Sequence, residues 1–109
     1  MSYGFGYIND LVYRAHTNAA RHGFWDGKSM PPDCDTILIK CCLIGTEVSE
    51  VAEEARKPTR DIDAFAEELA DICIRVFDLA GAMGCNLEQA ILDKMAHNEA
   101  RPYKHGKLA

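Results

Sequence analysis

LIGTEVSEVAEEARKPTRDIDAFAEELADICIRVFDLA, residues 43–80, decides the fold. Val48, Ala52 and Ala55 recur at helical spacing before a single break, and Phe65, Leu69, Ile72, Cys73, Val76, Phe77 and Ala80 do so after it. The break is Lys57–Thr59, where Pro58 cannot continue a helix. Upstream, Leu38, Cys41, Cys42 and Gly45 extend the first pattern back to an N-cap at Asp33 or Asp35, so this helix reaches to about Arg56. Downstream, the second helix starts near Asp61 and runs to about Met83, with Gly84 as the residue that ends it. Two long helices on a short connection pack as an antiparallel hairpin.

Working outward, Ile8, Leu11, Val12 and Ala15 place an earlier helix over Tyr7–His22, ended by Gly23. Gly23–Asp33 is a Gly- and Pro-rich loop. After Gly84, Asn86 is the N-cap of a last helix, with Gln89 at the third position of a capping box and Leu87, Ala90, Ile91 and Met95 on its apolar side. That helix ends near Ala100, ahead of Pro102, and the basic tail from Arg101 is expected to be extended. The only β-branched cluster, Thr36–Ile39, runs straight into a helical pattern. The reading is all-α: four helices in one domain over residues 1–109. The apolar faces are wide for a small chain, so helical hairpins are expected to complete a bundle by homo-oligomerisation, as a homodimer or homotetramer.

Bulk properties narrow the function. A net charge of −5 argues against a general nucleic-acid binder. No apolar run reaches the roughly 18 residues of a membrane span, and MSYGFGYIND lacks the features of a signal peptide. Cys34, Cys41, Cys42, Cys73 and Cys85 form no CxxC and are expected to be reduced, mostly buried small hydrophobes. A cytoplasmic protein is expected, with no nucleic-acid or membrane partner.

The same hairpin carries two carboxylate pairs, Glu47 with Glu50 and Glu68 with Asp71. At about 100° per residue, Glu50 lies at about 300° from Glu47 and Glu54 at about 340°, one narrow stripe. Asp71 stands in the same relation to Glu68. In an antiparallel hairpin the two pairs face each other, and such crowding raises carboxylate pKa values. Mg²⁺, with Mn²⁺ as the alternative, turns it into a favourable site, because hard cations take carboxylate oxygens and retain waters for a substrate phosphate. On the last helix Lys94, Asn98 and Arg101 form a stripe, followed by Lys104, His105 and Lys107 in the tail. These supply the cationic side of a metal–triphosphate site. Trp25, next to Phe24 in the loop, is a candidate to stack on a nucleobase or to anchor the loop. His16 and Asn18 are candidates to line the base pocket.

In combination these residues resemble the MazG-like all-α nucleoside triphosphate pyrophosphohydrolases, the superfamily that also includes the dimeric dUTPases and the dCTP pyrophosphatases. The resemblance rests on ExxE at Glu47–Glu50, ExxD at Glu68–Asp71 and the gap between them. It also rests on the run Lys94-x-x-x-Asn98-x-x-Arg101 with KHGK after it, and it covers nearly the whole chain. It implies Mg²⁺-dependent hydrolysis between the α and β phosphates of a (d)NTP, giving a nucleoside monophosphate and pyrophosphate, in cleaning of the nucleotide pool. It implies Glu47, Glu50, Glu68 and Asp71 as metal ligands, Glu47 or Glu50 as the base, and Lys94, Asn98 and Arg101 at the nucleotide or its phosphates.

Two rivals differ in class. A di-iron bundle needs Glu-x-x-His pairs, and the residues three before the four histidines are Tyr13, Ala19, Lys94 and Pro102. A non-catalytic nucleotide-binding or structural helical dimer would bind nucleotide, or none, without releasing pyrophosphate.

Overall fold

The computed structural model describes residues 6–106, with side chains to Lys104. Four α-helices account for most of it: α1 over Tyr7–Arg21, α2 over Cys34–Arg56, α3 over Ile62–Met83 and α4 over Leu87–Glu99. There is no strand among the described residues, so Thr36–Ile39 belongs to α2. The boundaries follow from the caps. Asp33 accepts a hydrogen bond from the Thr36 backbone N–H, Asp61 from that of Ala64, and Asn86 from that of Gln89, each satisfying a donor that a helix start leaves orphaned. Gly84 ends α3 at φ 71°, a conformation that costs glycine little and other residues more.

Helix α3 packs extensively against both α1 and α2. Both pairs run antiparallel: on one side Glu47 meets Arg75 while Glu50 and Glu54 lie near Glu68. On the other, Val12 and His16 come against Gly81. The α1–α3 approach is so close at Gly81 that a Cβ there would stand 2.6 Å from that of His16. Helix α4 has α1 as its principal neighbour, and their starts cap each other. Glu88 accepts from the backbone N–H groups of Ile8 and Asn9 at 2.8 and 3.3 Å. In return Asn9 accepts from Glu88 N and donates to Asn86. Gly6, the N-cap of α1, offers no side chain, so Glu88 supplies the missing acceptor from the far end of the sequence. The capping box is half formed: Asn86 accepts from the Gln89 backbone N–H, while the Gln89 side chain turns to Asp93 and donates to it, instead of accepting from the Asn86 N–H.

Two expectations need correction. The tail is not extended: Tyr103–Gly106 forms a 3₁₀ turn, with Lys104 at φ 54°. The cysteines are free but not buried, all five being exposed. Their apolar faces on α2 and α3 exceed what the contacts within one chain can cover. Besides Pro32, the buried apolar residues among those described are Val12, Trp25 and Ala80, while Leu38, Ile39, Val48, Ile74 and Met95 are each more than half exposed. No helix among the described residues is long and apolar enough to cross a membrane.

Candidate functional site

The hairpin brings three of the four motif carboxylates together. One oxygen each from Glu47, Glu68 and Asp71 can be chosen so that all lie within 4.8 Å of one another. Glu47 comes from the middle of α2, and Glu68 and Asp71 from the same face of α3. Glu50 is exposed and stands outside the triad, yet close enough that its charge acts on Glu68. The Glu68 carboxyl is held above the usual carboxylate range, first by burial and then by the charges of Asp71, Glu50, Glu54 and Glu47. Glu54, on the same stripe, is buried and paired with Lys57 at 2.8 Å. Glu53, off the stripe, pairs on the surface with Arg56.

Arg75 completes the cluster. Its Nε donates to Glu47 Oε1 at 2.9 Å, across the α2–α3 seam. Arg75 follows Asp71 by one helical turn and Asp78 follows it by nearly another, so Glu68, Asp71, Arg75 and Asp78 form one continuous stripe of α3. The 3.6-residue arithmetic that pairs Glu68 with Asp71 also yields Arg75 and Asp78. A search confined to carboxylate pairs passes over the cation between them.

At its other end the stripe fixes the loop. Asp78 Oδ1 receives the Trp25 indole N–H at 2.8 Å and faces His16 Nδ1 at 2.8 Å. The His16 and Trp25 rings meet edge to face at 5.4 Å, and Lys40 Nζ lies 4.2 Å above the Trp25 ring. Lys40 also donates to the backbone carbonyl of Phe24. Trp25 is 5% exposed. Its ring packs against His16 and Lys40, as an anchor of the loop would. The open aromatic of the loop is Phe24, 61% exposed.

Between cluster and loop lies a cleft of about 200 Å³ whose lining includes Asn18, Phe24, Lys40, Glu47, Asp71 and Arg75. Asn18 is thus placed beside the carboxylates, whereas His16 is engaged one layer behind, by Asp78. Lys94, Asn98, Arg101 and Lys104 do not line this cleft. Lys94 and Lys104 are exposed, Arg101 is half-buried, and Asn98 Oδ1 is buried without a hydrogen-bond partner among the described residues. The side chain of His105 and all of Lys107 lie outside the described residues. A larger groove of about 930 Å³ between α1 and α3, lined by Leu11, Cys73, Ile74 and Phe77 among others, carries none of the four motif carboxylates.

The donor set suits a hard divalent cation. It consists of carboxylate oxygens, and the one histidine nearby is held by Asp78. A cation would also offset the burial and the carboxylate repulsion that together raise the Glu68 pKa. Comparison with family models, with curated proteins and with solved structures returns no match.

Proposed function

We propose that this chain hydrolyses nucleoside triphosphates between the α and β phosphates, with Mg²⁺ or Mn²⁺, and that it serves to clear the nucleotide pool. The observation that carries this reading is the triad of Glu47, Glu68 and Asp71, whose oxygens gather within 4.8 Å, Glu47 and Asp71 also lining a cleft. The resemblance of ExxE, ExxD and the Lys94–Asn98–Arg101 run to MazG-like enzymes supplies the substrate class. Glu47, Glu68 and Asp71 would hold the cation, which when bound polarises the phosphate and acidifies a coordinated water.

The chain's own residues divide the remaining work. Glu50 is exposed and makes no hydrogen bond or ion pair among the described residues, whereas Glu47 is bound to Arg75. Of the two candidate bases, Glu50 is therefore the one free to take a proton from the attacking water. That water oxygen bonds to the α phosphorus, the bond to the bridging oxygen breaks, and pyrophosphate leaves. Asn18 offers hydrogen bonds within the cleft and Phe24 an apolar face.

A second copy of the chain is part of the proposal. The accessible surface is 7883 Å², against about 6,000 Å² for a folded monomer of this mass. The radius of gyration is 16.3 Å, against about 13 Å for a compact domain of this length. Both excesses support apolar helix faces that another chain covers.

The test is incubation with Mg²⁺ and a panel of NTPs, dNTPs and modified nucleotides, with pyrophosphate and orthophosphate assayed separately. Pyrophosphate matched by monophosphate, abolished by EDTA and by Glu50→Gln, is the expected result. Orthophosphate alone would mean that another bond is cut. Nucleotide binding with no product would favour the non-catalytic helical dimer.

A further inference from the structure

The Arg75–Glu47 pair joins α2 and α3 within the cleft. Of the two Glu47 carboxylate oxygens, Oε1 accepts from Arg75 Nε at 2.9 Å, so a cation held by Glu47 would meet the guanidinium charge at the same carboxylate. Glu47 is mostly enclosed, its side chain 15% exposed, and Arg75 is 38% exposed. Both line the cleft, beside Asp71. The bond engages only Nε; the two terminal nitrogens of the guanidinium make no other hydrogen bond or ion pair among the described residues. A guanidinium presents five donors in a fixed fork suited to phosphate oxygens. Within the cleft the other cation is Lys40, and that is spent on the Phe24 carbonyl and the Trp25 ring.

We propose that Arg75 is a place-holding cation, which pairs with Glu47 while the site is empty and transfers to the polyphosphate of the substrate when a divalent cation takes Glu47. The inference rests on the metal-dependent triphosphate reading above. It has a thermodynamic signature. Arg75 competes with the cation for Glu47 and lowers the negative potential of the cluster, so both effects weaken metal binding in the free protein. Once substrate is present the sign reverses, because Arg75 then adds a charge-assisted contact to the same complex. A guanidinium that merely held Glu47 in position would do the opposite in the free protein, since its loss would loosen a ligand.

The experiment is calorimetric titration of the full-length protein with Mn²⁺ alone, and then with inorganic tripolyphosphate at saturating Mn²⁺. Parent, Arg75→Gln and Arg75→Lys are compared. Arg75→Gln should bind Mn²⁺ about threefold to tenfold more tightly than the parent and tripolyphosphate about tenfold more weakly. Arg75→Lys, which keeps the charge and loses the fork, should fall between on both, and it carries the comparison if Arg75→Gln fails to fold. Weaker or unchanged Mn²⁺ binding in the variants would overturn the place-holder, as would unchanged tripolyphosphate binding. A parent that binds no Mn²⁺ would overturn the metal site itself, and with it this inference.

Discussion

Glu68 bears the cost of gathering the carboxylates. Its pKa is raised in the folded chain by burial and by four neighbouring carboxylates, so the folded state binds its proton more tightly than the unfolded one. For a carboxyl shifted upward the linkage runs as a penalty: it is present in full above the folded pKa, and it is relieved as pH falls through that value toward the unfolded one. Glu68→Gln removes the charge and should melt higher than the parent at pH 7 in EDTA. The gap should narrow as pH is lowered toward the ordinary glutamate range. Added Mg²⁺ should raise the melting temperature of the parent and leave Glu68→Gln nearly unmoved. Thermal melts across pH, with and without metal, check all three; a variant that melts lower than the parent in EDTA at pH 7 would mean that Glu68 is not under electrostatic strain. At this scale helical phase was informative about Glu68 and Asp71, which share a face of α3 and meet, but it also grouped Glu50 with Glu47, and Glu50 stands outside the triad. It was uninformative about division of labour. That Glu47 is bound while Glu50 is open depends on Arg75 reaching across from the other helix, which phase within a single helix cannot express.

The helices themselves were legible to within a residue or two, since their ends are written locally. Asp33, Asp61 and Asn86 each cap a backbone N–H three residues on, and Gly84 takes the left-handed turn after α3. What local chemistry could not reveal is set by distant partners: the capping of α1 by Glu88 and the burial of Trp25. Nothing in the polar, Gly-flanked neighbourhood of Trp25 indicates that its indole N–H reaches an aspartate 53 positions away. The loop is thereby clamped to α3 through Asp78, to α1 through His16 and to α2 through Lys40. Trp25→Ala should accordingly lower stability by about 3 kcal/mol, the usual scale for emptying a buried aromatic site. Trp25→Phe, which fills the space but removes the indole N–H bond and leaves His16 as the partner of Asp78, should lose roughly 1–3 kcal/mol. Denaturant unfolding monitored by circular dichroism gives both values. Because the loop also presents Phe24 to the cleft, Phe24→Ala should shift preference among nucleobases at little cost in stability. A stability loss from Trp25→Ala near zero would return Trp25 to the role of a base platform.

At the scale of the whole molecule, the apolar surface that one chain leaves open bears on the proposed site. Large apolar side chains on α2, α3 and α4 stand exposed, Leu38, Ile74, Leu92 and Met95 among them. Helix α4 has α1 as its principal neighbour within the chain, and Asn98 on it holds a buried oxygen without a hydrogen-bond partner among the described residues. The Lys94–Asn98 stripe does not line the cleft of its own chain. If these residues contact the triphosphate, the economical arrangement is that α4 of one copy serves the carboxylates of another, which would also cover its apolar side. Closed symmetry then makes the sites equivalent and each one composite. The consequence is complementation. Glu50→Gln and Lys94→Ala should each be nearly inactive alone. Unfolded together in equal amounts and refolded, half of the dimers are mixed, and each mixed dimer has one doubly altered site and one intact site. Activity should therefore recover to about a quarter of the parent value. If Lys94 instead served Glu50 of its own chain, every site in every dimer would carry one of the two substitutions. Mixing would then restore nothing, so a pyrophosphate assay on the refolded mixture decides between the two arrangements.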